Sequence, residues 1–555
     1  MIVGSLWSPT SPPAKWLGFV TAIWVQAICG NNYTFANYSD ALKSLMVLTQ
    51  LQLNNLSVAK DVGKAFGLLS GLASDCLPTS VILLIGSLEG LIGYGVQWLV
   101  VSQRISPLPY WQMCIFLCMG GNSTTWMNTA VLVTCMRNFP KNRGPVSGIL
   151  KGYVGLSTAI FTDLCTALFS KSPSTFLLML AIIPAVVCLT AIFFLRETKP
   201  ASGPIEEKEE TGYFHVFNIV AVVVAIYLLA FDVTGNHGHV LSRAFAVGLL
   251  VLLASPLVVP VYSMTSTWTI FKAKSNSDIE RQVNEPLLVS KILPERQEKT
   301  ETVTASIKVV EVKRRPLIGE DHTILEALKT FDFWVLFISF LCGVGTGMCV
   351  MNNMGQMGLA LGYMDVSIFV SLTSIWGFFG RIVSGLVSEY FIWKSATPRP
   401  LWNAASQMLM AAGYIVMALG FPGSLYIGSI VVGICYGVRL TITTAVASEL
   451  FGLKYYGLMY NILILNLPLG SFLFSGLLAG FLYDAEATAT AGGGNTCVGP
   501  HCYRLVFIIM ALVCVLGFGL DVLLAIRTKI IYSKIHVEKK FGTNGSHSNI
   551  KQELA

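Results

Sequence analysis

The chain has 555 residues, of which 54% are hydrophobic and only 12% are charged, and its mean hydropathy is +0.65. Soluble globular domains carry about 25% charged residues, so this composition excludes an ordinary water-soluble protein. The net charge of +7 does not indicate a nucleic-acid partner, because the Lys and Arg residues lie mainly between apolar runs, as membrane topology requires.

Apolar runs of about 20 residues, each long enough to cross a bilayer, recur along the chain. We predict an all-α polytopic membrane protein with about fourteen spans. Their ranges are 16–38, 56–77, 79–101, 110–135, 145–169, 174–195, 213–232, 241–264, 331–352, 365–391, 401–420, 424–449, 456–482 and 503–526.

The basic residues predict the orientation. Most of the 37 Lys and Arg residues lie on one face, in the even-numbered connections, in the long 265–330 loop and at the two ends. The positive-inside rule therefore predicts that both termini and this loop are cytoplasmic. The sequence does not distinguish the plasma membrane from an endomembrane such as the endoplasmic reticulum or the vacuole.

Two short sequences recur at nearly the same offset. SGLASD (70–75) returns as SGLVSE (384–389), and FPKNRG (139–144) returns as FGLKYYG (451–457). Such a repeat indicates two related helix bundles. We predict five regions: a six-helix bundle (1–200), an inserted helix pair (201–264), a flexible linker (265–330), a second six-helix bundle (331–527) and a tail (528–555).

This arrangement resembles the major facilitator superfamily, whose loop motif after the second helix of each half begins with glycine and continues to an acidic residue. Gly71 and Asp75 match it in the first half, and Gly385 and Glu389 match it in the second, with Arg381 one turn earlier. The resemblance implies that these five residues belong to a cytoplasmic gate.

Longer stretches resemble the plant nodulin-like branch, which includes the nuclear-fusion-defective type. They include GNNYTFANYS (30–39), the polar run 121–160, NNMGQMGLALGY (352–363) and SELFGLKYYGLMYN (448–461). The resemblance covers nearly the whole chain. It implies a two-bundle transporter that needs no cofactor.

In the major-facilitator plan, the first and fourth helices of each half line a central cavity, which here are spans 1, 4, 9 and 12. Polar residues on these spans are therefore candidate substrate ligands: Asn31, Asn32, Tyr33, Asn122, Trp126, Asn128, Asn352, Asn353, Gln356 and Tyr436. For any single residue, interhelical hydrogen bonding is the competing interpretation.

Besides Arg381, two basic residues within predicted spans are candidate anion ligands. Lys151 either meets a partner near the gate or binds an anion, because an unpaired charge in the bilayer is costly. Arg439 lies at mid-depth in span 12, and a guanidinium can hold a carboxylate with two hydrogen bonds. The pair leads to the hypothesis of an organic-anion substrate.

Proton coupling needs a titratable group in the membrane. The candidate carboxylates are Asp163, Glu89 and Asp521. Spans 3 and 14 normally face outward in this fold, which makes Glu89 and Asp521 weaker candidates than Asp163, and the hypothesis is symport that uses Asp163 or Glu89. Cys497 and Cys502 lie in a loop on the other side of the membrane, beside His501. A disulfide is one interpretation, and a metal site is the other.

We therefore predict a secondary transporter, acting as a monomer, that moves a small organic solute by alternating access, with proton coupling. The alternative is a non-transporting membrane regulator that acts through the linker and the tail. An enzyme ranks last, because the sequence carries no phosphate-binding loop, HExxH motif or nucleophile elbow.

Overall fold

The computed structural model describes residues 12–30, 34–48, 50–169, 172–198, 204–234, 238–265, 316–363, 367–486, 488–489 and 495–541. Nearly all of these residues are helical, and the strands Thr488–Ala489 (β1) and Asn495–Thr496 (β2) form one antiparallel ribbon. The predicted all-α fold class is confirmed.

The first part of the chain forms the N-terminal half and the inserted pair. Its helices are Pro12–Ile28 (α1), Ala36–Leu45 (α2), Gln50–Ala65 (α3), Gly67–Cys76 (α4), Thr79–Val101 (α5), Tyr110–Asn138 (α6), Arg143–Phe169 (α7), Pro173–Phe194 (α8), Pro204–Thr234 (α9) and His239–Ala254 (α10). A 3₁₀ turn, Ser255–Leu257, joins α10 to a last helical stretch at 258–265.

The second part forms the C-terminal half. Its helices are Ile324–Leu328 (α11), Phe331–Ala360 (α12), Ser367–Ser395 (α13), Pro400–Leu419 (α14), Ser424–Phe451 (α15), Tyr456–Ile464 (α16), Asn466–Gly470 (α17), Gly480–Glu486 (α18) and His501–Phe541 (α19). A π-helical segment, Ser471–Ala479, lies between α17 and α18.

Within the described ranges, eight helical runs are long and apolar enough to cross a membrane. They are Thr79–Val101, Pro173–Phe194, Lys208–Phe231, Val240–Thr265, Phe331–Gly358, Ser424–Phe451, Tyr456–Tyr483 and His501–Lys539. Helices α6, α7, α13 and α14 are not among these eight runs. Each of the four carries polar residues that are buried in the protein interior. The count of fourteen spans remains a prediction.

Three predicted spans are interrupted. The first, 16–38, is not one helix, because α1 ends at Ile28 and α2 begins at Ala36. The second, 56–77, divides at Phe66, where 3₁₀-type hydrogen bonds from residue i to residue i−3 replace the α-helical pattern. The thirteenth, 456–482, changes to a π-helix after Pro468, which has no N–H for the regular ladder.

The linker and the tail are more ordered at their ends than predicted. Residues 266–315 of the linker lie outside the described residues. After them, Gly319 and His322 donate backbone N–H groups to the carbonyls of Leu450 and Phe451. The tail continues α19 to Phe541, because Tyr532 is fully buried and its hydroxyl donates to Glu449 at 2.9 Å.

Two pairs of helices make the most extensive contacts between the halves in the described part of the chain. Helix α4 packs against α16, and α7 packs against α13. We call the side where Lys15 and Lys539 both reach the connection 139–142 the terminal face. There the Lys15 ammonium lies 4.4 Å from the centre of the Phe139 ring, and Lys539 donates to the Lys141 carbonyl at 2.7 Å.

Candidate substrate cavity and gate

A cavity of ≈ 340 Å³ lies between the halves. Its size suits a small organic molecule. Both halves contribute to its polar lining: Lys64, Thr124, Thr125, Asn128, Lys151, Thr158, Asn352, Thr373, Ser374, Arg381, Tyr436 and Tyr460. Among the lining residues that the structure describes there are three cations and no Asp or Glu.

Lys151 joins the two halves at this cavity. Its Nζ donates to Asn128 Oδ1 at 3.2 Å and to the hydroxyl of Tyr460, which belongs to α16 of the other half. Asn128 also donates to the Tyr460 hydroxyl, at 2.7 Å. In the described part of the chain, no carboxylate lies within ion-pair distance of Lys151. The partners of this buried ammonium are thus neutral oxygen atoms, and an anion in the cavity could bind the ammonium as well.

Arg381 is the cation from the opposite half. Its guanidinium lies against α7 at Gly155, where an added Cβ would stand only 1.8 Å from Nη1. A larger residue at position 155 would require the guanidinium to move from this position. Lys151 lies one turn away on α7, close enough for the two cations to interact electrostatically. The sequence motif predicts that Arg381 belongs to the gate, whereas in the structure Arg381 lines the cavity.

Arg439 is not in the cavity lining. Its Nη1 pairs with Asp521 of α19, and its Nη2 donates to the backbone oxygen of Ser339 and, at 2.9 Å, to its hydroxyl. Ser339 in turn donates to Asp521 at 2.5 Å. Arg439 and Asp521 are 1% and 0% exposed, so the expected substrate carboxylate is replaced by one from the chain itself.

The predicted polar ligands divide into three groups. Asn128, Asn352 and Tyr436 line the cavity. The other described residues lie elsewhere: Asn122 donates to Glu89 at 2.9 and 3.2 Å, Trp126 is buried, Asn353 donates to Ser475 at 2.8 Å, and Gln356 accepts from Tyr503 at 3.1 Å. Asn31, Asn32 and Tyr33 lie outside the described residues. Asp163 is buried and does not line the cavity.

The residues predicted to form the gate lie in two contacts, and in each contact one sequence repeat packs against the other. Gly71 of α4 lies against Gly457 at the start of α16, where its added Cβ would be 2.9 Å from the Gly457 oxygen. Gly385 of α13 lies against Gly144 of α7, with the corresponding distance 2.6 Å. Each contact thus joins one copy of the first repeat to one copy of the second, and the two copies come from opposite halves.

The acidic residues of the repeats strengthen the same contacts. Asp75 accepts backbone N–H groups from Gly457 and Leu458, and Glu389 accepts that of Gly144 at 3.3 Å. Asp75 also pairs with Arg137 at 3.4 Å. A carboxylate at a helix N-terminus stabilises that end, so these pairs hold the terminal face together.

The sequence motif does not identify Arg399, the most buried basic residue at the predicted gate. Arg399 is 1% exposed, pairs with Glu389, and donates to Glu449 at 2.8 Å and Ser388 at 2.5 Å. Lys539 of α19 also pairs with Glu389. Arg399 lies in the connection after α13, 10 residues beyond Glu389, and its only signal in the sequence is a basic residue immediately before Pro400.

On the opposite side of the bundle, Cys497 and Cys502 are joined by a disulfide with an S–S distance of 1.99 Å. His501 Nε2 lies 3.6 Å from Cys497 Sγ. The disulfide occupies both sulfurs, so these residues do not form the alternative metal site.

Two helix bundles around a central polar cavity define a polytopic membrane protein with the major facilitator fold. The crystal structure of the human organic anion transporter MFSD10 (TETRAN) is similar with a TM-score of 0.53 and 10% identity, over 92% of this chain and 100% of that chain. The family described as Nodulin-like matches residues 15–261, and the NFD4 C-terminal domain matches residues 317–534. The chain belongs to this nodulin-like family.

Two relatives align over most of their length. Protein NUCLEAR FUSION DEFECTIVE 4 of Arabidopsis thaliana is 30% identical over 541 residues, which cover 95% of this chain and 90% of the relative. The uncharacterized membrane protein YMR155W of Saccharomyces cerevisiae is 22% identical over 512 residues, which cover 86% and 89%.

Proposed function

We propose that this protein is a secondary transporter that moves a small organic anion across its membrane by alternating access. One observation carries the proposal: Lys151 and Arg381 come from opposite halves and line the same cavity, which has no acidic residue in its described lining. A carboxylate is the group that accepts hydrogen bonds from both an ammonium and a guanidinium.

The position of the two cations also supports a transport cycle. A substrate held by both Lys151 and Arg381 would offset their mutual repulsion and draw the halves together around it. Rocking of the halves would change the distance between these residues, so the protein would bind the substrate most tightly in the state that brings both cations to it.

Proton coupling is part of the proposal, with Glu89 and Asp163 as the coupling groups. Glu89 is bonded to Asn122 of α6, two turns from Asn128, which contacts Lys151. Asp163 is on α7, the helix that carries Lys151. Protonation would therefore act through α6 and α7. If Glu89→Gln and Asp163→Asn both keep accumulation driven by a pH gradient, this part of the proposal is wrong.

The test of the anion site is uptake by purified protein in proteoliposomes. A panel of labelled carboxylates, amino acids and sugars is offered with and without a pH gradient. We expect a carboxylate to accumulate, and Lys151→Gln or Arg381→Gln to raise its KM at least about tenfold through loss of a charge-assisted hydrogen bond.

Arg243→Gln is the matched control, because Arg243 is exposed on α10 of the inserted pair. It should leave uptake unchanged. The proposal fails if the Lys151→Gln, Arg381→Gln double variant transports the same carboxylate with the KM of the unmodified protein.

A further inference from the structure

A second cavity, of ≈ 680 Å³, lies at the terminal face. Its walls come from the start of α9, the connection before α7, the end of α13 and the end of α19. The residues that matter here are Lys141, Lys208, His215, Tyr390, Trp393 and Lys539. None of them lines the substrate cavity.

The charged lining of this cavity is mainly basic. Lys141, Lys208 and Lys539 come from three separate segments, and Glu389 is the acidic residue of the described lining. Glu389 is already engaged by Arg399, Lys539 and the Gly144 N–H. The nearby Glu210 of α9 also forms an ion pair, with Lys15 at 2.5 Å. Because Lys539 and Glu389 pair with each other, Lys141 and Lys208 give the described lining its net positive charge, which favours an anion.

The outer wall of the cavity is aromatic and apolar. Tyr390 and Trp393 are 51% and 58% exposed, and Ile219, one turn beyond His215 on α9, is 64% exposed. Exposed Tyr and Trp side chains are typical of the level where lipid headgroups meet hydrocarbon. An occupant would therefore meet lysines at one end and a lipid-facing surface at the other.

We propose that this cavity binds the phosphate headgroup of an anionic phospholipid. Basic pockets between membrane helices are suited to such headgroups, because the acyl chains remain in the bilayer while lysines neutralise the phosphate. The shared chemistry is a phosphate anion, and the exposed aromatic wall favours a lipid over free phosphate as its source.

The site depends on the inserted helix pair. The sequence predicts a span beginning at 213, but α9 begins at Pro204, and this extension brings Lys208 to the cavity. Lys539 belongs to both the cavity and the gate, because it pairs with Glu389. A bound headgroup would thus lie beside the contacts that hold the terminal face together.

The test uses full-length protein in detergent, titrated separately with dioctanoyl phosphatidic acid, dioctanoyl phosphatidylcholine and inorganic phosphate. Binding is followed by Trp fluorescence and by the thermal unfolding midpoint. We expect saturable binding of the phosphatidic acid, weakened about tenfold by Lys208→Ala. Lys208→Arg should retain binding.

Lys534→Ala is the control, since Lys534 is an exposed lysine of α19 outside the cavity lining. Lys208 is itself exposed, so its variants should fold. Equal binding of phosphatidylcholine would overturn the anion assignment. Inorganic phosphate binding as tightly as phosphatidic acid would overturn the lipid assignment, and unchanged affinity in Lys208→Ala would overturn the location.

Discussion

Gly385 and Gly144 lie so close across the two halves that a Cβ on Gly385 would stand 2.6 Å from the Gly144 carbonyl oxygen. Gly71 and Gly457 make the equivalent contact between α4 and α16, also at the terminal face. Both acidic residues that follow the motif glycines, Asp75 and Glu389, accept N–H groups from the opposing segment. The internal repeat is thus a pseudo-twofold interface at the terminal face.

This interface predicts a specific effect of bulk at Gly385. Gly385→Val places methyl groups against backbone atoms that cannot move aside, which should destabilise the closed terminal face by about 1–3 kcal/mol. Hydrogen exchange measured by mass spectrometry should increase in segments 143–149 and 385–389. Gly95→Val is the matched control, because nothing lies within 4 Å of its added Cβ. Unchanged exchange in Gly385→Val would contradict the role of this contact.

Tyr460→Phe tests how Lys151 is positioned. The phenol oxygen accepts from both Lys151 and Asn128, so its removal frees the ammonium from its contact with the other half. We expect the KM for the anion to rise about tenfold with little change in the thermal unfolding midpoint. Tyr262→Phe, at an exposed position, serves as the control. A KM equal to that of the unmodified protein would mean that Tyr460 has no part in binding.

The Arg439 and Asp521 pair predicts a loss of stability when one partner is removed. Arg439→Ala or Asp521→Ala leaves a buried charge and should lower the free energy of unfolding by about 3–5 kcal/mol. Arg439→Met combined with Asp521→Leu should recover most of it. The measurement is the thermal unfolding midpoint in detergent. Arg504→Ala is the control, because Arg504 is exposed and lies on α19, the helix that carries Asp521.

A transport assay distinguishes a structural role of Arg439 and Asp521 from a role in substrate binding. The double variant should transport the anion with an unchanged KM, because neither side chain lines the cavity. A large rise in KM in a stably folded double variant would restore Arg439 as a substrate ligand.

The disulfide predicts a modest local stabilisation. Closing the short loop between Cys497 and Cys502 should contribute about 2 kcal/mol by restricting the unfolded chain. Cys502→Ser should therefore lower the thermal unfolding midpoint, whereas Cys76→Ser, at an exposed free cysteine, should not. Peptide mapping without reduction should recover the linked pair, and recovery of two free thiols would contradict the assignment.

Several residues of the candidate site could be predicted from the sequence, because a polar residue within an otherwise apolar span is easily recognised. Lys151, Asn128, Asn352 and Tyr436 stand out in apolar surroundings, and all four line the cavity. Arg381 and Arg439 stand out equally well, but Arg381 lines the cavity and Arg439 pairs with Asp521 outside it. Which of the two reaches the cavity depends on the rotation of α13 and α15 about their axes, and hydropathy carries no information on that rotation.

The sequence by itself determined the membrane class, the family and the two-bundle plan. The reason is that a bilayer imposes length and hydrophobicity on each span locally, and the repeats mark equivalent helix ends. Only the tertiary structure decided the partners of the buried charges. Arg439 meets Asp521 across 82 residues, and Lys151 meets Tyr460 across 309, because helix packing and not sequence distance brings those groups together.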